Sequence, residues 1–474
     1  MKNRNLYIHT IGCQMNVYDS GQMVKQLALQ GYRQVSSPEQ ADLIISNTCA
    51  IREKAEQKVF SFLGRLASLK RRKPSLIIAV GGCVAQQEGK KIIERMPHVD
   101  LVFGTHAISR LSGLIRQVEL LREPVVAVEM SDVIDESHLV LDAGDNEGVS
   151  RFVTIMQGCD NFCTYCVVPY VRGRENSRKP DNIVKEIRQA VASGAREVTL
   201  LGQNVNSYGK KEHLCSFPEL LESVCHIEGL SRVRFTTSHP KDLSAELICA
   251  FRDLDRLCKH FHLPVQSGSN QILKRMNRKY TRETYLEKVQ KLRAVCPDIA
   301  ISSDFIVGFP GESRDDFEQT LDLVRTVEYD SLFVFKYSDR PNAPAADYPD
   351  KIPDDEKNER LHRLLELQEE ITVRKHEALV GTIQQVLVEG LSKKQPLSNL
   401  KEEFQDIQWS GRSSGNKIVN FSVKDSCRAA DEDLTGKLMY IRIQKACSHS
   451  LWGQPVEEEL KLPEVEGEDG YYAA

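Results

Sequence analysis

Through the first 120 residues, short apolar runs alternate with segments of helical period. The runs LYIHTIGC, ADLIISNTC and SLIIAVGGC are near-continuous stretches of aliphatic and β-branched residues, the pattern of strands buried on both faces. Between them lie DSGQMVKQLALQ and a longer segment in which Val59, Phe62, Leu63, Leu66 and Leu69 recur at helical spacing and form one apolar stripe. Such alternation predicts an N-terminal open parallel α/β sheet over residues 1–120.

Residues 121–147 are acidic and turn-rich and are expected to be a connector. From 148 to 375 six further strand-like runs follow, RFVTIMQGC, EVTLLGQN, RVRFTTSHP, FHLPVQSG, AISSDFIVGFPG and SLFVFKYS, separated by helix-length segments. Six β/α units in series predict a partial (β/α)6 barrel whose site lies at the C-terminal ends of its strands. The proline-rich RPNAPAADYPDKIPDD breaks this pattern, and Asp354 and Asp355 start a charged helix with Leu361, Leu364, Leu365 and Ile371 on one face. Beyond it, residues 376–456 change to strand patterns, TIQQVLVEG, NKIVNF and KLMYIRIQKA, with a turn at SSGN. A small all-β barrel of the OB type is expected there, a fold that often holds oligonucleotides. The polar stretch 391–408 reads as an insertion, and 457–474 as an acidic tail. The fold class is therefore multidomain α/β.

Composition narrows the setting. A chain of 474 residues, 41% hydrophobic, is too long for one core. Its longest apolar stretch falls far short of the ~20 residues a membrane-spanning helix requires, and MKNRNLYIHTIG has no apolar leader core. A cytoplasmic protein with no membrane partner is expected. The net charge of −4 neither supports nor excludes a nucleic-acid partner, but local basic patches stand at KRRK (Lys70 to Lys73) and RGRENSRK (Arg172 to Lys179).

Thirteen cysteines without a secretory signal point to reduced thiols and metal ligation. Cys13, Cys49 and Cys83 each follow one of the first three strands, and open α/β sheets place ligands just outside the carboxyl ends of their strands. A second trio, Cys159, Cys163 and Cys166, stands in GCDNFCTYC after the first strand of the expected barrel. Zinc prefers four closed ligands, and no second cysteine pair follows. A 4Fe-4S cluster held by three thiolates instead keeps one iron open for an external ligand. The remaining cysteines have no ligand-like spacing.

C-x3-C-x2-C after the first strand of a six-unit barrel resembles the radical S-adenosylmethionine (SAM) superfamily. The segments IGCQMNVYDS, SNTCAIREKAEQKVF, VGGCVAQQEG, QGCDNFCTYCVVPYVRGRE, LLGQNVNSYG, RFTTSHP, LPVQSGS and SSDFIVGFPGES extend the resemblance over nearly the whole chain to the methylthiotransferases, and within them to the MiaB type. The resemblance implies two 4Fe-4S clusters, an auxiliary one on Cys13, Cys49 and Cys83 and a SAM-exchangeable one on Cys159, Cys163 and Cys166. It also implies that the terminal barrel is a TRAM domain that grips tRNA.

By the same resemblance the chain, expected to be a monomer, converts N6-isopentenyladenosine 3′ of the tRNA anticodon to its 2-methylthio derivative. It would use two SAM molecules and an electron donor such as flavodoxin or ferredoxin. For SAM, Tyr165 lies between two cluster cysteines, Gln203, Ser238, Gln266 and Ser267 fall at strand ends facing the barrel mouth, and Gly308 lies in FIVGFPGE, similar to a SAM-binding segment of the superfamily. Alternative readings are a methylthiotransferase for threonylcarbamoyl-adenosine or for a ribosomal-protein aspartate, and a non-catalytic iron-sulfur RNA-binding protein. GCQMN and NTCAIREKAEQKVF favour the isopentenyladenosine type.

Overall fold

Three long strands, β1 (Arg4–Ile11), β3 (Leu43–Thr48) and β4 (Ile77–Gly82), form the centre of a six-stranded parallel sheet. The short strands β2 (Tyr32–Gln34), β5 (Leu101–Phe103) and β6 (Val125–Ala127) complete it in the order β2-β1-β3-β4-β5-β6. In this computed structural model residues 4–50, 53–131, 133–136, 148–393, 407–423 and 433–456 are described. One face of the sheet packs on α1 (Gln14–Ala28) and α5 (Leu111–Leu121) through Met23, Leu27, Leu111 and Ile115. The other packs on α2 (Glu53–Arg72), whose expected stripe of Val59, Phe62, Leu63 and Leu66 is buried against Ile44, Ile78 and Val80. Two short helices, α3 (Cys83–Glu88) and α4 (Lys90–Arg95), follow β4. β6 falls inside the stretch expected to be a connector, because three apolar residues among acidic ones carry too short a pattern to read as a strand.

The second set of β/α units supplies six parallel strands: β7 (Ser150–Thr154), β10 (Glu197–Leu201), β11 (Arg232–Phe235), β12 (His260–His262), β13 (Ala300–Val307) and β14 (Ser331–Lys336). They pair as β7-β10-β11 and β12-β13-β14, and the halves join where Cys258 N–H donates to the Val233 carbonyl at 2.9 Å. Each strand arises where the expected run stood. Between β7 and β10 a short antiparallel pair, β8 (Met156–Gln157) and β9 (Asn176–Ser177), brackets the loop with the second cysteine trio and the one-turn helix α6 (Val168–Val171). The outer helices α7 (Pro180–Ala192), α8 (Phe217–Cys225), α9 (Ala245–Asp253), α11 (Arg282–Val295) and α12 (Arg314–Val327) bury one continuous core with the strands, while α10 (Asn270–Arg275) places Ile272 in a separate cluster with Met276, Phe309 and Tyr337. α13 (Asp354–Glu377) adds Leu364 and Ile371 to it.

Residues 1–371 form one compact unit and 372–474 a second. The second contains a closed five-stranded barrel of β15 (Ile383–Leu391), β16 (Ile407–Ser413), β17 (Ile418–Val423), β18 (Leu438–Ala446) and β19 (Leu451–Pro455), in the order β15-β16-β17-β19-β18. Val386, Val388, Trp409, Val419, Phe421, Ile441 and Ile443 alternate inward and fill it. β16 and β19 escaped the sequence reading because IQWSGRS and LWGQP interrupt the alternation with Gly, Ser and Pro. Ile407 and Gln408, assigned to an insertion, open β16, while 394–406 and the acidic tail 457–474 lie outside the described residues. Among the described residues no helix is long and apolar enough to cross a membrane.

Candidate active site at two cysteine sets

Cys13 caps α1, Cys49 follows β3, and Cys83 opens α3. Because β1, β3 and β4 are adjacent and parallel, their carboxyl ends bring the three loops to one edge. The approach is close. A Cβ on Gly12 would meet Asn16 Oδ1 at 2.2 Å and Cys49 Cβ at 2.8 Å. Gly82, at φ 89°, would set a Cβ 2.4 Å from the Thr48 carbonyl, so only glycine fits there.

Buried amides fasten these loops. Asn16 Oδ1 accepts from the Cys13 N–H at 3.3 Å, and its Nδ2 donates to Asn47 Oδ1 and the Thr48 carbonyl, both at 3.1 Å. Asn47 Nδ2 returns a bond to the Asn16 carbonyl at 2.9 Å, and Thr48 Oγ1 donates to the Gly81 carbonyl at 2.7 Å. Sequence reasoning passed over Asn16 and Asn47. Their signal was an asparagine within three residues of Cys13 and of Cys49, one in the first turn of α1 and one near the carboxyl end of β3. A hydrogen bond with Cys49 holds the Cys13 thiol down at about 6, against its burial and with help from the Arg172 guanidinium. Burial pushes the Cys83 thiol up.

The second trio sits in the loop after β8. Gly158, at φ 79°, lets the chain pass the Arg174 carbonyl, which a Cβ would meet at 2.0 Å, and Gln203 Oε1 accepts its N–H at 2.5 Å. Asn161 Nδ2 donates to Cys159 Sγ and Val168 N–H to Cys166 Sγ, at 3.4 and 3.5 Å. Across the loop, Thr164 N–H donates to the Met276 carbonyl at 3.1 Å and Asn277 Nδ2 to the Phe162 carbonyl at 3.0 Å. Burial raises the Cys159 thiol to about 11, and burial with the neighbouring Cys163 raises Cys166 to about 12.

Among the described residues no set of His, Cys, Asp or Glu side chains stands in closed ligand geometry; what converges is the loops. Two groups of three buried or half-buried soft donors fit a thiophilic metal cluster, because Cys13 gives up its proton readily and metal binding replaces the protons that burial makes hard to lose at Cys83, Cys159 and Cys166.

The two sets adjoin. α3 packs on α6, and Cys83 and Ala50 share one apolar cluster with Val167 and Val171, the first of which follows Cys166 directly. Arg172, the first residue of the second basic patch, is buried with Nη2 2.8 Å from Asp19 Oδ2 on α1. Arg178 is likewise enclosed by Glu136 and Glu186, and Lys70 and Lys73 pair with Asp100 and Asp42. Both basic patches are thus partly consumed by internal ion pairs. Beside the α1–barrel seam a cavity of about 300 Å³ is lined by Met15, Tyr18, Asp19, Thr154, Gln157 and Arg178.

The residues expected to touch SAM fall into two groups. Tyr165 is half-buried against the cluster of Ile272, Met276, Phe309 and Tyr337 and its hydroxyl accepts from Arg278 at 3.3 Å; Ser238 is buried with no partner for its Oγ among the described residues; Gln266 is buried at φ 76° beside Phe305. Gln203 holds the cysteine loop. Ser267 and Gly308 have structural partners instead: Ser267 Oγ accepts from Ser269 N–H at 3.2 Å, and Gly308 N–H donates to Glu312 Oε2 at 2.6 Å.

Residues 5–104 match the model described as "Uncharacterized protein family UPF0004" and residues 153–324 that of the Radical SAM superfamily. In overall fold the chain is similar to the radical S-adenosylmethionine methyltransferase TsrM of Kitasatospora setae, with a TM-score of 0.55 over 81% of each chain at 13% identity. It is 55% identical over 450 residues to the tRNA-2-methylthio-N(6)-dimethylallyladenosine synthase of Desulfosudis oleivorans, covering 95% of this chain and 96% of that one. It is 51% identical to the synthase of the same name from Geobacter metallireducens, covering 95% and 98%. Sheet, barrel and near-full-length identity agree, and the chain belongs to the tRNA-2-methylthio-N(6)-dimethylallyladenosine synthase family of radical SAM methylthiotransferases.

Proposed function

We propose that this chain inserts a methylthio group at carbon 2 of N6-isopentenyladenosine in tRNA, with Cys159, Cys163 and Cys166 holding the SAM-binding 4Fe-4S cluster and Cys13, Cys49 and Cys83 an auxiliary cluster. The observation that carries the division of labour is the adjacency of the two sets through Cys83, Val167 and Val171. Radical SAM enzymes use SAM and a 4Fe-4S cluster; bound, they supply the one-electron reductive cleavage of SAM that removes hydrogen from an unactivated carbon, and an auxiliary cluster would supply sulfur.

The protein's part is positioning and exclusion of water. The Asn16–Asn47–Thr48 network fixes the first set of thiols, and Gln203 and Asn277 fix the loop of the second. The Arg172–Asp19 pair holds α1 against the segment after Cys166. Tyr165, Ser238 and Gln266 offer an aromatic ring, a hydroxyl and an amide for SAM. In the terminal barrel, β18 presents exposed Tyr440, Arg442 and Lys445, a stacking and cationic surface suited to RNA. A flavodoxin or ferredoxin is the fitting class of electron donor, and a monomer the simplest state.

The test is anaerobic incubation of the reconstituted protein with SAM, dithionite and anticodon stem-loops carrying either isopentenyladenosine or threonylcarbamoyl-adenosine. Nucleoside mass spectrometry should find the methylthio product only from the first. Product from the second alone would assign the chain to the other tRNA-modifying type.

A further inference from the structure

Four buried arginines, Arg172, Arg178, Arg234 and Arg360, each face a carboxylate, Asp19, Glu186, Glu197 and Glu312 respectively. Arg278 is 4% exposed, and among the described residues no carboxylate pairs with it. Its Nη1 donates to Cys163 Sγ at 3.4 Å and to the Tyr165 hydroxyl at 3.3 Å, its Nε to the Tyr280 hydroxyl at 2.8 Å, and its Nη2 to the Pro264 carbonyl at 2.6 Å.

Removing a guanidinium from water is costly unless an anion faces it. Neutral phenols and one carbonyl satisfy its donors but not its charge. The remaining neighbour is Cys163, the middle member of the second trio. Resting on the reading that this trio binds a 4Fe-4S cluster, we propose that Arg278 is the cluster's built-in counter-charge and that it makes the cluster easier to reduce.

The electrostatic argument is direct. With three thiolates the oxidised cluster carries one net negative charge and the reduced cluster two. One electron enters from an external low-potential donor, and no bond forms or breaks. A fixed positive charge against one ligand sulfur, in surroundings of low dielectric, favours the more negative state. Hydrogen bonds to cluster sulfurs and net charge are the recognised levers on such potentials. The rigidity fits this role: Pro264, Tyr280 and Tyr165 fix the guanidinium plane from three sides, so little reorganisation accompanies electron arrival. At the other set the charge is arranged differently, since Arg172, beside Cys83 and Cys13, is already neutralised by Asp19.

The experiment is an EPR-monitored redox titration of the full-length chain carrying Cys13, Cys49 and Cys83 as Ala, so that a single cluster titrates. In that background Arg278→Met should retain its iron while its reduction equilibrium shifts at least tenfold toward the oxidised state, equivalent to 59 mV for one electron. Arg278→Lys should recover most of the shift, and Tyr280→Phe, which keeps the charge, should show little. Should Arg278→Met fail to hold iron, Arg278→Gln, which keeps donors for the Pro264 carbonyl and the Tyr280 hydroxyl, gives the same reading. An unchanged potential in a fully loaded Met or Gln variant overturns the inference alone. Absence of iron with Arg278 in place would overturn the cluster reading itself, and this inference with it.

Discussion

Single side chains already carry opposed demands in this protein. His239 is buried beyond β11, where its Nδ1 accepts the Lys241 N–H at 3.2 Å and its Nε2 finds no partner among the described residues. Burial, with the Arg278 charge nearby, pushes its pKa down to about 2 from 6.5. The folded chain therefore keeps this imidazole neutral where the unfolded chain protonates it. Below pH 6.5 the unfolded state binds more protons, so His239 costs stability progressively as the pH falls, by about 1.4 kcal/mol per pH unit. Above pH 6.5 it contributes no pH dependence. Replacing His239 by Asn, which can still accept at the turn, should flatten the loss of stability between pH 6.5 and 5, read from denaturant midpoints at each pH. An unchanged slope would show that the histidine is not held neutral.

Among the elements, α1 and the segment after Cys166 are joined by one buried ion pair. Asp19→Asn leaves the Arg172 guanidinium without its carboxylate, and breaking a buried pair in this way costs about 3–5 kcal/mol. The expected result is a clear fall in the thermal midpoint of the larger unit; a fall no larger than for an exposed substitution would count against the pair's role as a strut. This strut was not legible in the sequence. Arg172 lies in RGRENSRK, where spacing marks a basic patch but gives no sign that a residue 153 positions earlier neutralises it. The six barrel strands and the α2 stripe were legible, because apolar period alone determines them. Arg278 was not, since its importance arises from a loop that folds back onto Cys163.

For the whole molecule, the chain separates into units 1–371 and 372–474, and the proposed function divides its tasks between them. Both cysteine sets lie in the first, and the exposed Tyr440, Arg442 and Lys445 in the second. Removing the chain from Thr382 onward should leave iron binding and SAM cleavage intact while tRNA affinity falls and loses its steep salt dependence, measured by titration at several salt concentrations. Undiminished affinity would move the tRNA contact to the first unit. The central claim is that one cysteine set generates the radical and the other donates sulfur. Its most direct test is parallel assay of 5′-deoxyadenosine and methylthio-nucleoside in the variant with Cys13, Cys49 and Cys83 all replaced by Ala. The account predicts continued SAM cleavage with no methylthiolated tRNA; methylthio product from that variant would contradict it.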